Sequence, residues 1–198
     1  FRLINGISLY KRCLYKLKEF NVYVDTDSRR IINEIQEDKN CRHVTVFPRK
    51  NNLLGHTTSV CSILKSFIER FNIKNKLVCQ IHVTSPFLKP ETLKDAAKMI
   101  KHNDSIIACN EYQNRLWRKE SYGYAPVNHN PLRLEQTQDL PVYYEENSLF
   151  YMFNSDYFMR TECRVGINPF FHVCNYPENI DIDTEEDWNL VKNIAEEA

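Results

Sequence analysis

Four glycines in 198 residues leave no room for a glycine-rich loop of the kind that cradles a triphosphate, and no such loop lies within the sequence. No apolar run approaches the ~20 residues that a membrane-crossing helix needs, and the first residues lack the basic-then-apolar pattern of a secretory leader. The expectation is a soluble, cytoplasmic protein with no membrane partner. Excess charge is also missing: 26 basic side chains balance 26 acidic ones. No overall field then draws the chain to a nucleic acid polymer or an anionic surface, so any anionic ligand must be gripped by a local site. The seven cysteines include no C-x-x-C pair and fall at scattered positions, Cys13, Cys41, Cys61, Cys79, Cys109, Cys163 and Cys174. They read as free thiols filling core space in a reducing compartment, not as disulfides or zinc ligands. Repeats and low-complexity linkers are absent too, and 42% hydrophobic residues suffice for one core of ordinary size. A single domain over 1–198 is expected.

Helix-like and strand-like stretches alternate along the chain. Leu9, Cys13, Leu14 and Leu17 form one helical stripe within 8–20, and the next strand is expected at 21–24. Ser28 can cap a helix over 29–37, followed by a strand at 43–47. The Thr57-Thr58 pair is expected to open a helix reaching about Phe71. Leu77 to Val83 is a nearly continuous apolar run ended by Thr-Ser-Pro, the pattern of a central strand buried on both faces. Pro90 begins a helix to about Lys101, since proline in the first turn forgoes no hydrogen bond. Further strands are expected at 105–109, 149–153 and 170–174, and Thr184 caps a last helix. Between them, 112–144 loses periodicity, a long excursion of the kind used for function or assembly. The alternation implies an α/β fold with a mainly parallel sheet and helices on both faces. Ligands of such sheets sit at the carboxyl ends of the strands.

The sharpest chemical feature is Asn179-Ile180-Asp181-Ile182-Asp183-Thr184-Glu185-Glu186-Asp187-Trp188. In an extended segment alternate side chains share a side, so Asp181 and Asp183 project together while Ile180 and Ile182 turn to the core. Two convergent carboxylates suit Mg²⁺, a hard cation bound by one or two carboxylates together with substrate phosphates. A strand end that only caps the last helix has the same spacing. Four other stretches carry polar groups at strand ends. His82 stands beside Val83-Thr84-Ser85-Pro86-Phe87, where hydroxyls and amides can receive a ligand, or where the histidine is simply a hydrogen-bonded structural residue. Asp25-Thr26-Asp27-Ser28 is explained fully by helix capping. Arg49 follows Phe47-Pro48 and precedes a helix start, so it can grip a base or phosphate or be a solvated surface arginine. Arg133, Gln136-Thr137-Gln138-Asp139-Leu140-Pro141 and Tyr143 to Ser148 offer amides, a guanidinium and tyrosines to a hydroxyl-rich acid, as a plain polar loop also would.

In this order the segments N-G-x-x-L, D-T-D-S, P-R, V-T-S-P-F, T-Q-D-L-P, E-N-S-L-F-Y and I-D-I-D-T-E-E-D resemble the acylneuraminate cytidylyltransferase family, from Asn5 to Asp187. The resemblance implies a three-layer, nucleotide-diphospho-sugar-transferase-like (Rossmann-like) α/β domain that forms a homodimer through 112–144. It implies transfer of CMP from CTP to a nine-carbon keto-sugar acid, in CMP-sialic acid synthesis for cell-surface polysaccharide, with Mg²⁺ on Asp181 and Asp183 as the catalytic pair. By motif, Arg49, Thr58 and Ser59 would lie near the nucleotide. His82, Thr84 and Ser85 would border nucleotide and sugar, and Arg133, Gln138 and Asn147 would face the sugar. The sequence departs from the family at four places. It begins after the strand and the Gly-, Arg- and Lys-bearing loop with which the family opens, so either a longer natural chain or a module without the triphosphate clamp is expected. His82 stands where many members have glutamine, and His56 where an acid precedes the helix. The paired phenylalanines of the acyl pocket have no counterpart, which leaves the sugar open between a sialic-acid-like nonulosonate and another keto-sugar acid such as Kdo.

Overall fold

The structure, a computed structural model, describes residues 2–197, without the side chain of Glu197. It opens on a hairpin in which β1 (Leu3–Ile4) and β2 (Ile7–Ser8) pair antiparallel across Asn5-Gly6. Both turn residues have positive φ, 49° and 76°. An Asn-Gly pair suits such a two-residue turn, because asparagine tolerates the left-handed region and glycine has no Cβ to clash there. The first half continues with α1 (Leu9–Lys16), β3 (Val22–Thr26), α2 (Arg29–Glu37), β4 (Val44–Pro48), α3 (Val60–Arg70), β5 (Leu77–Ile81) and α4 (Pro90–Ala97). The second half holds β6 (Ser105–Tyr112), β7 (Trp117–Glu120), β8 (Gly123–Pro126), β9 (Tyr143–Asn154), α5 (Ser155–Thr161), β10 (Pro169–Val173) and α6 (Glu185–Glu197).

Side chains set several of these boundaries. Ser28 accepts from the amide of Ile31 and starts α2 as expected, but α3 begins later than Thr57-Thr58. Ser59 is its cap, accepting from Cys61 N at 3.2 Å, while Thr58 donates to Leu54 O. Asn154 caps α5, which the sequence pattern did not announce, by accepting from the amides of Asp156 and Tyr157. At α6, Asp187 N donates to Thr184 Oγ1 and Asp187 Oδ2 accepts from Thr184 N, a reciprocal pair that satisfies two amides of the helix start.

Four strands make the main sheet in the order β10-β6-β9-β5. β10 is parallel to β6, whereas β9 runs antiparallel to both β6 and β5. β3 and β4 form a separate parallel pair, and β7 and β8 an antiparallel one. The sheet is therefore mixed: β9 returns from the long excursion directly beside β6, and an antiparallel neighbour needs no helical crossover. The central position expected for 77–83 is corrected. β5 is the edge of the four-stranded sheet, with Leu77 40% exposed and Cys79 exposed as well, and it ends at Ile81. Its apolar run reflects cover on two faces, since Val78 packs with Leu64, Ile68 and Phe158 while Ile81 packs with the cluster of Leu88, Leu93 and Ala96. An open edge leaves no mark on such a run.

The same two clusters put helices on both sides of the main sheet. Leu93 and Ala96 of α4 pack on Ile106, Ala108, Phe150 and Met152, and α3 and α5 pack through Leu64, Ile68 and Phe158 on Val78 and Phe153. α6 places Trp188 and Val191 against Ile4, Ile180 and Ile182, which fixes the segment before it. All seven cysteines are free; Cys41, Cys109 and Cys174 lie in the core, while Cys79 and Cys163 are exposed instead of core-filling.

Candidate functional site

The chain after β5 and the chain before α6 meet at one backbone hydrogen bond, from Ile182 N to Thr84 O at 3.1 Å. Ile180 and Ile182 join the apolar cluster beneath α6, while Asp181 is half-buried and Asp183 exposed. The segment is coil and not the strand end that the sequence suggested. Upstream, Glu178 accepts from Lys89 N at 2.7 Å and from Thr92 Oγ1 at 2.7 Å, which ties the same loop to the first turn of α4. With two anchors, the loop holds its carboxylates in place before any ligand arrives.

His82, Thr84 and Ser85 follow β5 at its carboxyl end. His82 N donates to Leu149 O, and the ring Nε2 lies 2.8 Å from Gln80 Nε2. Burial pushes the His82 pKa down; Asp181 opposes that shift, Arg164 adds to it, and Asp183 again opposes it. Ser85 is 3% exposed, and among the described residues its hydroxyl has no hydrogen-bond partner. A buried hydroxyl without a partner forfeits the hydrogen bond it would make in water, so it is a group that a ligand or water would satisfy.

Asn147 is buried and sits at a break in the β6–β9 register, where a step from Ile107 to Cys109 is matched by one from Tyr151 to Glu146. Ser148 beside it has φ of 60°. Such irregularities redirect a side chain. Asn147 Nδ2 donates to Asn110 Oδ1 at 3.2 Å, and Asn179 Nδ2 donates to the same oxygen at 3.0 Å. Asn110 therefore links β9 to the loop that carries Asp181. A cavity of about 210 Å³ opens here, lined by Asn110, Tyr112, Asn175, Tyr176 and Asn179 among others. A larger one, about 270 Å³, lies by the N-terminal hairpin between Lys11, Arg30 and Glu34, and neither cavity is lined by any of the expected site residues.

The remaining candidates lie elsewhere. Arg49 follows β4 and is paired with Asp25 at the end of β3, Nε to Oδ1 at 2.9 Å, with Nη2 on the Asp25 carbonyl at 3.2 Å. Because β3 and β4 are parallel, both residues stand at one carboxyl edge, and the aspartate holds the guanidinium in a fixed orientation. Thr58 and Ser59 lead into α3, with Ser59 engaged as its cap. Arg133 and Gln138 belong to the excursion and are exposed. Gln138 Nε2 donates to Gln136 Oε1, and Gln138 O accepts from Gln113 Nε2. Among the described residues no hydrogen bond joins Arg133 or Gln138 to His82, Asn147 or the aspartates.

No cluster of three or more His, Cys, Asp or Glu side chains able to hold a metal occurs among the described residues. Asp181 and Asp183 are likewise without an ion-pair partner among them. Two uncompensated carboxylates on a pinned loop fit a divalent cation completed by substrate oxygens, and do not fit a metal held by protein alone.

The family model described as Cytidylyltransferase matches residues 1–198. The chain belongs to the cytidylyltransferase family. Among curated relatives it is 26% identical over 192 residues to the CMP-N,N'-diacetyllegionaminic acid synthase of Legionella pneumophila, covering 88% of this chain and 78% of that protein. It is 28% identical over 123 residues to N-acylneuraminate cytidylyltransferase A of Danio rerio, covering 59% of this chain and 28% of that protein. Two solved structures show the same fold. The 4-diphosphocytidyl-2C-methyl-D-erythritol synthase of Anaerococcus prevotii superposes with a TM-score of 0.70 at 14% identity, over 98% of this chain and 88% of that one. The molybdopterin-guanine dinucleotide biosynthesis protein A of Archaeoglobus fulgidus gives 0.57 at 12% identity, over 100% and 90%. The Rossmann-like nucleotidyltransferase architecture is thus that of this cytidylyltransferase as well, and no described helix is long and apolar enough to cross a membrane.

Three polar residues beside the candidate site escaped the sequence reading. Gln80 lies two residues before His82 and shares its face of the strand, so strand alternation alone could have found it. Asn110 and Arg164 gave no local signal, because their roles come from strands and loops that are distant in sequence.

Proposed function

We propose that this cytidylyltransferase transfers CMP from CTP to a nine-carbon keto-sugar acid of the sialic acid type and releases pyrophosphate. The observation that carries the reading is the 3.1 Å hydrogen bond from Ile182 N to Thr84 O, which ties the segment carrying Asp181 and Asp183 to the turn that follows β5. Two relatives support the sugar class, one named for CMP-N,N'-diacetyllegionaminic acid and the other for N-acylneuraminate.

Mg²⁺ is the cofactor this reading implies, and Asp181 and Asp183 would hold it. When bound, it supplies charge neutralisation at the phosphates of CTP. The chain's own groups position the reactants. Arg49, braced by Asp25, is placed to meet the cytidine end, with Thr58 and Ser59 near it. Ser85 Oγ and the amides of the 82–85 turn offer donors to phosphate or sugar oxygens, while Asn147, Arg133 and Gln138 face the sugar. The anomeric hydroxyl attacks the α-phosphorus and its proton passes to solvent or a substrate oxygen, so no covalent enzyme intermediate is needed. Orientation and fixed dipoles then account for most of the acceleration.

The substrates are CTP and an acidic keto-sugar in the cytoplasm, and the working form is a homodimer built on the excursion. Leu132, Leu134 and Tyr122 there are 95%, 91% and 85% exposed, a concentration of apolar surface that a second copy would cover. The test is pyrophosphate release from CTP by the longest natural chain with a panel of nonulosonic acids. Release is expected with a sialic-acid-like nonulosonate. Release with Kdo alone would move the substrate class, and none with any acid would make the protein a nucleotide-sugar-binding module.

A further inference from the structure

Arg164, Gln80 and His82 form a chain of hydrogen bonds that can run in only one direction. Arg164 Nη1 donates to Gln80 Oε1 at 2.7 Å, and Gln80 Nε2 lies 2.8 Å from His82 Nε2. A guanidinium has donors and no acceptor, so the amide oxygen is the part of Gln80 that faces it. The amide nitrogen, which can only donate, is left facing the imidazole. His82 Nε2 must then accept, and the single proton of a neutral ring sits on Nδ1.

The far end of this chain is itself held. The Arg164 guanidinium lies 3.6 Å from the centre of the Tyr151 ring, and Tyr151 donates its hydroxyl proton to Glu146 Oε2 at 2.7 Å. Strand pairing explains the assembly. Gln80 and Tyr151 are opposite each other in the β5–β9 register, and His82, two residues beyond Gln80, falls on the same face.

We propose that Arg164 and Gln80 are positioning residues that lock His82 as the neutral Nδ1–H tautomer, so that His82 meets its ligand as a hydrogen-bond donor and never as a proton acceptor. The identity of the ligand rests on the cytidylyltransferase reading; the tautomer does not. With Nε2 occupied and Nδ1 protonated, the ring has no free lone pair, so it does not serve as general base toward the sugar hydroxyl. It donates to an acceptor oxygen, which CTP carries on its phosphates and the keto-sugar acid on its carboxylate. Of the charged groups acting on the ring, Asp181 and Asp183 favour the imidazolium, while Arg164 and burial favour the neutral form.

The experiment is a long-range ¹H–¹⁵N correlation spectrum of the full-length chain with labelled histidine, the His82 signals being assigned by their loss in His82→Gln. At neutral pH the wild type is expected to show a protonated Nδ1 and an unprotonated Nε2. Gln80→Glu keeps a partner for Arg164 but presents only acceptors, so Nε2 must gain a proton. A wild-type ring protonated on Nε2, or a Gln80→Glu spectrum identical to wild type, overturns the lock. In kinetics, Gln80→Leu is expected to raise the KM of one substrate about tenfold while kcat stays within about threefold, as for one hydrogen bond to a charged group. The substrate whose KM moves identifies the oxygen that His82 meets. Unchanged KM values for both, with the tautomer as stated, overturn the donor role. A chain inactive with every acid overturns the functional reading and leaves the spectral result standing.

Discussion

From Leu149 to Phe153, β9 is at most 2% exposed at every residue, whereas Leu132 and Leu134 of the excursion are more than nine-tenths exposed. Both regions carry residues assigned to the sugar. Asn147, at the mouth of β9, is fixed by Asn110, and His82 leans on Leu149 through its amide. Arg133 and Gln138 hang on the excursion, and among the described residues their hydrogen-bond partners come from that loop and its neighbours. The buried strand thus sets a geometry before the ligand arrives, and the loop acquires its geometry from whatever covers it. The contrast separates groups that determine position from groups that a partner or substrate recruits.

The largest effect expected is in the buried strand. Phe153→Ala removes a fully buried ring whose centroid lies 5.0 Å from that of Phe158, tilted against it, and should cost about 3–5 kcal/mol in urea unfolding. A loss below ~1 kcal/mol would break the claim that β9 organises the core. Next comes the pinned loop, where Asp183→Asn should lower kcat/KM for CTP about a hundredfold, equivalent to ~2.7 kcal/mol, without shifting the unfolding midpoint. Equal turnover in that variant would remove the metal assignment. Thr184→Ala should cost about 1 kcal/mol, because the α6 start loses the hydroxyl that accepts from Asp187 N; no change would mean that Trp188 alone holds the helix. The smallest effect on stability belongs to the excursion. Leu132→Asp with Leu134→Asp should change the monomer's unfolding free energy by less than ~0.5 kcal/mol, yet shift sedimentation from dimer to monomer. If the pair unfolded the chain instead, the two regions would not differ as described.

Most of the order of strands and helices was legible because caps are local, although α5 and the β1–β2 and β7–β8 pairs were not expected. Ser28, Pro90 and Thr184 each act within a few residues, and the structure uses all three where the sequence placed them. The place of a strand within the sheet was not legible. Leu77 to Ile81 and Leu149 to Phe153 are similarly apolar, but one is an edge and the other an interior strand, since helix cover and edge exposure are independent properties. For the same reason the links of Asn110 to Asn147 and of Arg164 to Gln80 could not be read from the sequence. Those links join residues from 37 to 84 positions apart.

The account depends on the carboxylates of Asp181 and Asp183 holding a divalent ion against the phosphates of CTP. Crystals of the full-length chain grown with CTP and Mn²⁺ in place of Mg²⁺ should show an anomalous peak within ligand distance of both carboxylates and of a phosphate oxygen. Bound CTP with its metal elsewhere, or with Asp181 and Asp183 turned away from the phosphates, would contradict it.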